Sequence, residues 1–170
     1  SRQFWQSTCA APASWWVILW AQQIHLIFCC LVLQLSQITC SYKDAKRDAV
    51  AAKRNPFGMP LPLHADQSWM PAPFPEHNMF LTTCFVTDDG YESLDGGATV
   101  IVPNSHLLKR APPTTDKELM EKAYEAVQPI LAKKGSIVCW DGSVWHAGGY
   151  RKVPQGERVV MHTTFCRLYV

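Results

Sequence analysis

The stretch KKGSIVCWDGSVWHAGG at 133–149 holds two apolar runs with a reversal between them. Ile137, Val138, Cys139 and Trp140 favour a strand, Asp141-Gly142 offers turn chemistry, and Val144, Trp145 and His146 begin a second run. Lys134-Gly135 punctuates the entry in the same way. The stretch predicts strands near 136–140 and 143–147, the second ending on a histidine. Outward from it, short apolar or alternating runs cut by Pro, Gly and Asp continue from Pro56 to the C-terminus. Further strands are expected near 60–66, 79–87, 98–102, 129–132 and 158–169. One helix interrupts them: Thr115-Asp116-Lys117-Glu118 reads as a capping box, and the helix should run to about Val127, before Pro129. Short strands joined by tight turns predict a mainly β sandwich or jelly roll.

Upstream the texture differs. KDAKRDAVAAKR at 43–54 predicts a solvated helix stopped by Asn55-Pro56. Residues 1–42 contain a single charged side chain, Arg2, and four of the seven Trp. Within them begins the uncharged run WWVILWAQQIHLIFCCLVL at 15–33, long enough to span a bilayer, although Gln22, Gln23 and His25 sit near its middle. Three readings stay open for it: a membrane anchor, a packed helix, or sequence foreign to the native protein. The expected division is thus an apolar segment at 1–42 and a β domain at 43–170. A chain that begins with Ser1 is also expected to be N-terminally incomplete.

Composition narrows the function. A hydrophobic content of 48% excludes a disordered chain, and a net charge of +2 without a basic block gives no reason to expect nucleic acid. A small-molecule substrate is the expected partner, and the oligomeric state is left open. Seven Cys without a C-x-x-C pair predict packed, reduced thiols. They point to a reducing compartment, cytoplasmic or organellar, with membrane anchoring if 15–33 spans a bilayer.

His64-Ala65-Asp66 places an imidazole and a carboxylate on one face of an extended segment. His146, late in the β run, is the natural third ligand. Two His and one carboxylate leave three positions open on one face of iron(II), as oxygen activation requires, whereas zinc prefers a closed tetrahedron. Twelve residues after His146, Arg158 opens the run RVVMHTTFCRLYV and shares a face with Val160, His162 and Thr164. An inward guanidinium needs an anion, and its fork matches the distal carboxylate of a dicarboxylate cosubstrate.

Together LHADQSW at 63–69, DGGATVIVPNSH at 95–106, the 133–149 stretch and Arg158 resemble the phytanoyl-CoA dioxygenase family of iron(II)- and 2-oxoglutarate-dependent oxygenases, over about residues 60–170. The resemblance implies a double-stranded β-helix (jelly roll) with flanking helices. It makes His64, Asp66 and His146 the catalytic metal ligands and Arg158 the 2-oxoglutarate anchor, with Gln67 and Thr99 as further candidates for the cosubstrate pocket. The implied chemistry uses Fe(II), 2-oxoglutarate and O2, hydroxylates a C–H bond of a small organic or acyl substrate, and releases succinate and CO2. Asp66 favours hydroxylation, since related halogenases carry a small residue there.

The sequence departs from the family where Asn104 stands for the Gly of Pro-Gly-Ser-His; Asn tolerates positive φ, so the turn is expected to survive, with His106 as a turn residue. Gly148 replaces a hydroxyl residue found in some members, and His162 could line the pocket, with a packed, hydrogen-bonded strand histidine the favoured reading. Two other readings remain: a catalytically inactive jelly roll that binds a metabolite or is membrane-tethered, and a zinc or manganese enzyme built on the same ligands.

Overall fold

The computed structural model describes residues 33–55, 57–76, 79–156 and 158–167, so all of the 15–33 run but its last residue lies outside them. Among the described residues no helix is long and apolar enough to cross a membrane. The described residues form seven strands: β1 (Leu33–Lys43), β2 (Phe80–Phe85), β3 (Thr99–Ile101), β4 (Gln128–Pro129), β5 (Ile137–Asp141), β6 (His146–Gly148) and β7 (Arg158–Arg167). Helix α1 (Ala45–Ala52) follows β1, and α2 (Lys117–Glu125) precedes β4. One sheet has the order β1-β7-β2-β5 and the other β4-β3-β6. Every pairing is antiparallel and most neighbours are distant in sequence, which is jelly-roll topology.

Strand β1 precedes residue 60, near which the first strand is expected, and runs past residue 42, the expected end of the apolar segment. The strand crosses that boundary and pairs with β7 from Leu33↔Arg167 to Lys43↔Arg158. Its sequence, LQLSQITCSYK, hides the alternation, because Leu33 and Leu35 are out of phase with Ile38, Cys40 and Tyr42. A register shift between Leu35 and Gln37 absorbs the extra residue. The strand expected at 60–66 shrinks to a single bridge, His64↔His146, since Pro60 and Pro62 have no N–H to donate to a ladder.

Local chemistry sets the other boundaries. The Asp44 carboxylate accepts from the Arg47 N–H at 2.8 Å, so α1 starts after it and Lys43 completes β1. For α2 the cap is Asp116, whose Oδ1 accepts from the Leu119 N–H at 3.0 Å, in place of the expected Thr115 box. The Asp141 carboxylate takes both the N–H and the hydroxyl of Ser143, at 2.7 and 2.6 Å, and this side-chain turn delays β6 to His146. The second run of the 133–149 stretch is therefore mostly turn. Asn104 has φ 63° and the turn survives, as expected.

That turn supports the site. It delivers buried Ser105, whose Oγ accepts from the Trp145 N–H at 2.8 Å, while the Trp145 indole donates to the Arg110 carbonyl at 2.6 Å. Trp145, fully buried and locked at both ends, fixes the backbone next to His146. Helix α2 buries Met120 and Ala123, and the Tyr124 hydroxyl accepts from the Leu63 N–H at 3.0 Å, which steadies the residue before His64.

Candidate active site

The His64 and His146 backbones exchange hydrogen bonds, His64 N–H to His146 O at 3.0 Å and His146 N–H to His64 O at 2.8 Å. This brings the two rings within 4.3 Å, centroid to centroid. Nδ1 of His64 lies 3.0 Å from the Pro62 carbonyl and Nδ1 of His146 lies 2.9 Å from the Val144 carbonyl. A carbonyl only accepts, so each Nδ1 carries a proton and each Nε2 is the ring nitrogen turned towards Asp66. Those Nε2 atoms sit 4.0 and 3.4 Å from Asp66 Oδ1. The other carboxylate oxygen, Oδ2, accepts from the Thr82 hydroxyl at 2.6 Å and the Trp140 indole at 3.3 Å.

Three potential ligand atoms, all within 4.8 Å of one another, thus converge while their residues are held from behind. This donor set fits a divalent cation, with the carbonyls, Thr82 and Trp140 as supporting contacts. Burial pushes the Asp66 carboxyl up, but hydrogen bonds from His146 and Thr82 and the nearby imidazoles outweigh it and hold it at about 2. Burial, then the neighbouring His146, pushes the His64 imidazole down. Both effects favour the deprotonated, metal-binding forms of Asp66 and His64 near neutral pH. Thr82→Val keeps the shape of β2 but removes the hydroxyl that aims Asp66. Metal affinity should fall roughly tenfold or more. A chelator competition checks this, and undiminished affinity would remove Thr82 from the site.

The three residues open into a cavity of about 430 Å³ that Thr99 and Arg158 also line. Arg158 is only 1% exposed, and its Nε and Nη1 have no hydrogen-bond partner. A buried guanidinium without an acceptor is costly, and an anion in this cavity would satisfy it. Thr99 shares a 2.6 Å hydrogen bond with the Tyr91 hydroxyl. Gln67 is not brought into this cavity: it is buried, and its Oε1 lacks a partner. His106 sits exposed in its turn, outside the cavity lining.

His162 takes the pocket-lining alternative and sits edge-on to Trp140, with ring centroids 5.8 Å apart. Burial and the Arg158 charge push its pKa down to about 4 from 6.5. In the metal-free chain the unfolded state therefore binds this proton more readily, so stability is full above pH 6.5 and falls as pH drops towards 4. One such group contributes a slope of at most about 1.4 kcal/mol per pH unit, and His64 adds to the same limb. Asp66 acts lower, between its ordinary 3.8 and about 2. His162→Gln should make the limb shallower in urea unfolding between pH 7 and 4.5, and an unaltered slope would assign it to other groups.

Sequence reasoning missed Lys43 and Asp48. Lys43 stands opposite Arg158 in the sheet, and its Nζ lies 2.8 Å from the Gly149 carbonyl and 3.6 Å from Asp48 Oδ2. Burial pushes the Lys43 ammonium's pKa down, partly offset by Asp48. Asp48 also accepts from the Arg151 N–H at 2.9 Å. Both residues lie in what reads as a solvated helix, and their five-residue spacing across a strand-to-helix junction matches no helical face. Gly148 was the available signal: a Cβ there would lie 2.8 Å from Lys43 Nζ, so a glycine at that position makes room for the lysine.

A two-sheet jelly roll that aims two imidazoles, one carboxylate and an unpaired buried guanidinium into one cavity defines a mononuclear metal centre with an adjoining anion subsite. The phytanoyl-CoA dioxygenase (PhyH) profile matches residues 10–158. The chain belongs to that family, one of iron(II)- and 2-oxoglutarate-dependent oxygenases. The match begins upstream of residue 60, where the resemblance was legible, and takes in β1 and α1.

Among solved structures, the chain is similar to EvdMO1 at 21% identity and TM-score 0.54, over 81% of this chain and 28% of that one. It is similar to HygX from Streptomyces hygroscopicus with nickel and 2-oxoglutarate bound, at 14% and 0.55, over 81% and 57%. The iron-bound form of HygX matches at 14% and 0.58, over 96% and 71%. At these identities the likeness is one of fold, and the chain spans little more than a quarter of EvdMO1 and over half of HygX.

Proposed function

We propose that this chain is an iron(II)- and 2-oxoglutarate-dependent dioxygenase that hydroxylates a C–H bond of a small organic or acyl substrate. The balance is one 2-oxoglutarate, one O2 and one C–H bond in, and one succinate, one CO2 and one C–OH out. The observation that carries this reading is the buried, unpaired Arg158 guanidinium in the same cavity as the His64, Asp66 and His146 donors. HygX, with nickel and 2-oxoglutarate bound on a similar fold, supports it.

His64, Asp66 and His146 would hold the metal, which supplies the redox chemistry linking decarboxylation of the cosubstrate to oxidation of the substrate. Thr82 and Trp140 keep Asp66 Oδ2 engaged, so that Oδ1 faces the metal position. Arg158 takes the distal carboxylate of 2-oxoglutarate and thereby orients its 2-oxo acid end towards the triad. With a carboxylate at position 66 filling a ligand position, hydroxylation is the favoured outcome over halogenation. The free thiols of Cys84, Cys139 and Cys166 accord with a reducing compartment, cytoplasmic or organellar.

The test is an anaerobic titration with iron(II) and then 2-oxoglutarate, followed by admission of O2. One equivalent of each should bind, and succinate should form. Binding of both without succinate under any substrate would favour the inactive metabolite-binding module, and selective retention of zinc or manganese would favour the enzyme built on those metals.

A further inference from the structure

Buried arginines are ordinarily held by carboxylates, which use up the donors of the fork. Arg158 is held differently. Its guanidinium carbon lies 4.6 Å from the centre of the Tyr91 ring, and Tyr91 has no exposed surface. The Tyr91 hydroxyl is pinned in turn, 2.6 Å from Thr99 Oγ1 and 3.2 Å from Cys84 Sγ. Beneath the Arg158 stem runs the backbone of Gly90: a Cβ there would lie 2.5 Å from Cδ and 2.9 Å from Cγ.

The nearby Asp88 carboxylate spends itself on the backbone. Oδ1 accepts from the Gly90 N–H at 2.8 Å, and Oδ2 accepts from the Val159 N–H at 3.1 Å, which staples this turn to the residue after Arg158. The Thr87 hydroxyl donates to the Val159 carbonyl and closes the same junction. An aromatic face attracts a guanidinium through its plane and takes none of its N–H groups. Nε and Nη1 are thus left open although the side chain is fixed.

We infer that the turn Asp88–Tyr91 is a positioning element for the cosubstrate anchor, with the Tyr91 ring and the Gly90 backbone clamping Arg158 so that its donors stay free for the distal carboxylate. Burial pushes the Tyr91 hydroxyl up to about 12, so the ring stays a neutral phenol at working pH. Tyr91 touches neither metal nor substrate in this scheme; it acts through Arg158. The inference rests on the 2-oxoglutarate reading of the cavity, and its test separates the two.

The experiment is anaerobic calorimetry on the nickel-loaded chain, with 2-oxoglutarate and with pyruvate, a 2-oxo acid that has no distal carboxylate. Tyr91→Leu and Gly90→Ala should each weaken 2-oxoglutarate binding roughly three- to thirtyfold, leave pyruvate binding unchanged, and spare nickel affinity. Tyr91→Phe, which keeps the ring, should restore binding. Tyr91→Leu should cost nothing more in an Arg158→Ala background. Gly90→Ala keeps the question open to test should Tyr91→Leu not fold. Equal weakening of both acids, or further loss in the Arg158→Ala background, would make Tyr91 merely structural and overturn the inference. Weakening in Arg158→Ala with none in Tyr91→Leu and Gly90→Ala would overturn the inference alone, whereas undiminished affinity in Arg158→Ala would overturn the anchor and the inference together.

Discussion

His146→Ala will cost the chain its metal and, with it, turnover of 2-oxoglutarate. His146 is 5% exposed, its Nε2 faces Asp66 Oδ1 at 3.4 Å, and its Nδ1 is committed to the Val144 carbonyl. Alanine removes a donor that no neighbour can replace. Even a supporting contact behind a ligand is worth ten- to a hundredfold in metal affinity, so losing the ligand itself should exceed about a hundredfold. Because the His64–His146 backbone bridge uses main-chain atoms alone, the sheet should survive the change. Chelator competition for iron(II) or nickel measures the loss. His162→Ala is the matched control, another imidazole of the same cavity outside the triad, and should keep the metal. If His162→Ala loses metal and His146→Ala does not, the ligand set is wrong.

The second large effect belongs to Arg158. Arg158→Ala removes charge-assisted contacts worth about 1.5–3 kcal/mol, or roughly ten- to a hundredfold in affinity for 2-oxoglutarate, and should leave metal binding nearly intact. Arg158→Lys restores the charge without the planar fork and should fall between. A stability measurement gives an independent sign. A guanidinium that is 1% exposed and lacks acceptors for two of its nitrogens is a burden on the ligand-free fold. Arg158→Met should therefore raise the unfolding midpoint of the ligand-free chain while abolishing stabilisation by 2-oxoglutarate. A destabilised Arg158→Met would mean that the arginine holds the fold together.

Most of the centre was legible because its residues lie where sequence rules work locally. His64 and Asp66 are two apart in extended backbone, His146 closes the Asp141 turn, and Arg158 opens a strand otherwise rich in Val, Thr and Phe. The Asn104 turn was legible for the same reason, its φ of 63° being one that Asn adopts at low cost. What escaped depends on register or on distance along the chain. β1 was hidden by one extra residue, which no two-residue period can see through. His162 was judged by its apolar neighbours on β7, while the sheet turns its face into the cavity. Lys43 and Asp48 acquire meaning only through Gly149 and Arg151, which sequence cannot bring to them. Gln67 is a different case: it neighbours Asp66 in sequence but does not line the cavity.

The order β1-β7-β2-β5 puts the last of the described strands in the middle of its sheet. Until Arg158–Arg167 emerges from the ribosome, β1 has no hydrogen-bonded neighbour among the described strands, and one side of β2 is an open edge. The nascent chain must carry both edges until β7 is made, when a single insertion closes them on two sides at once. Such long-range closure is slow, and it leaves unpaired strand edges exposed for as long as it is pending. The residue that begins the closing strand is Arg158, so the moment at which these two edges are covered is also the moment at which the cavity can first grip an anion.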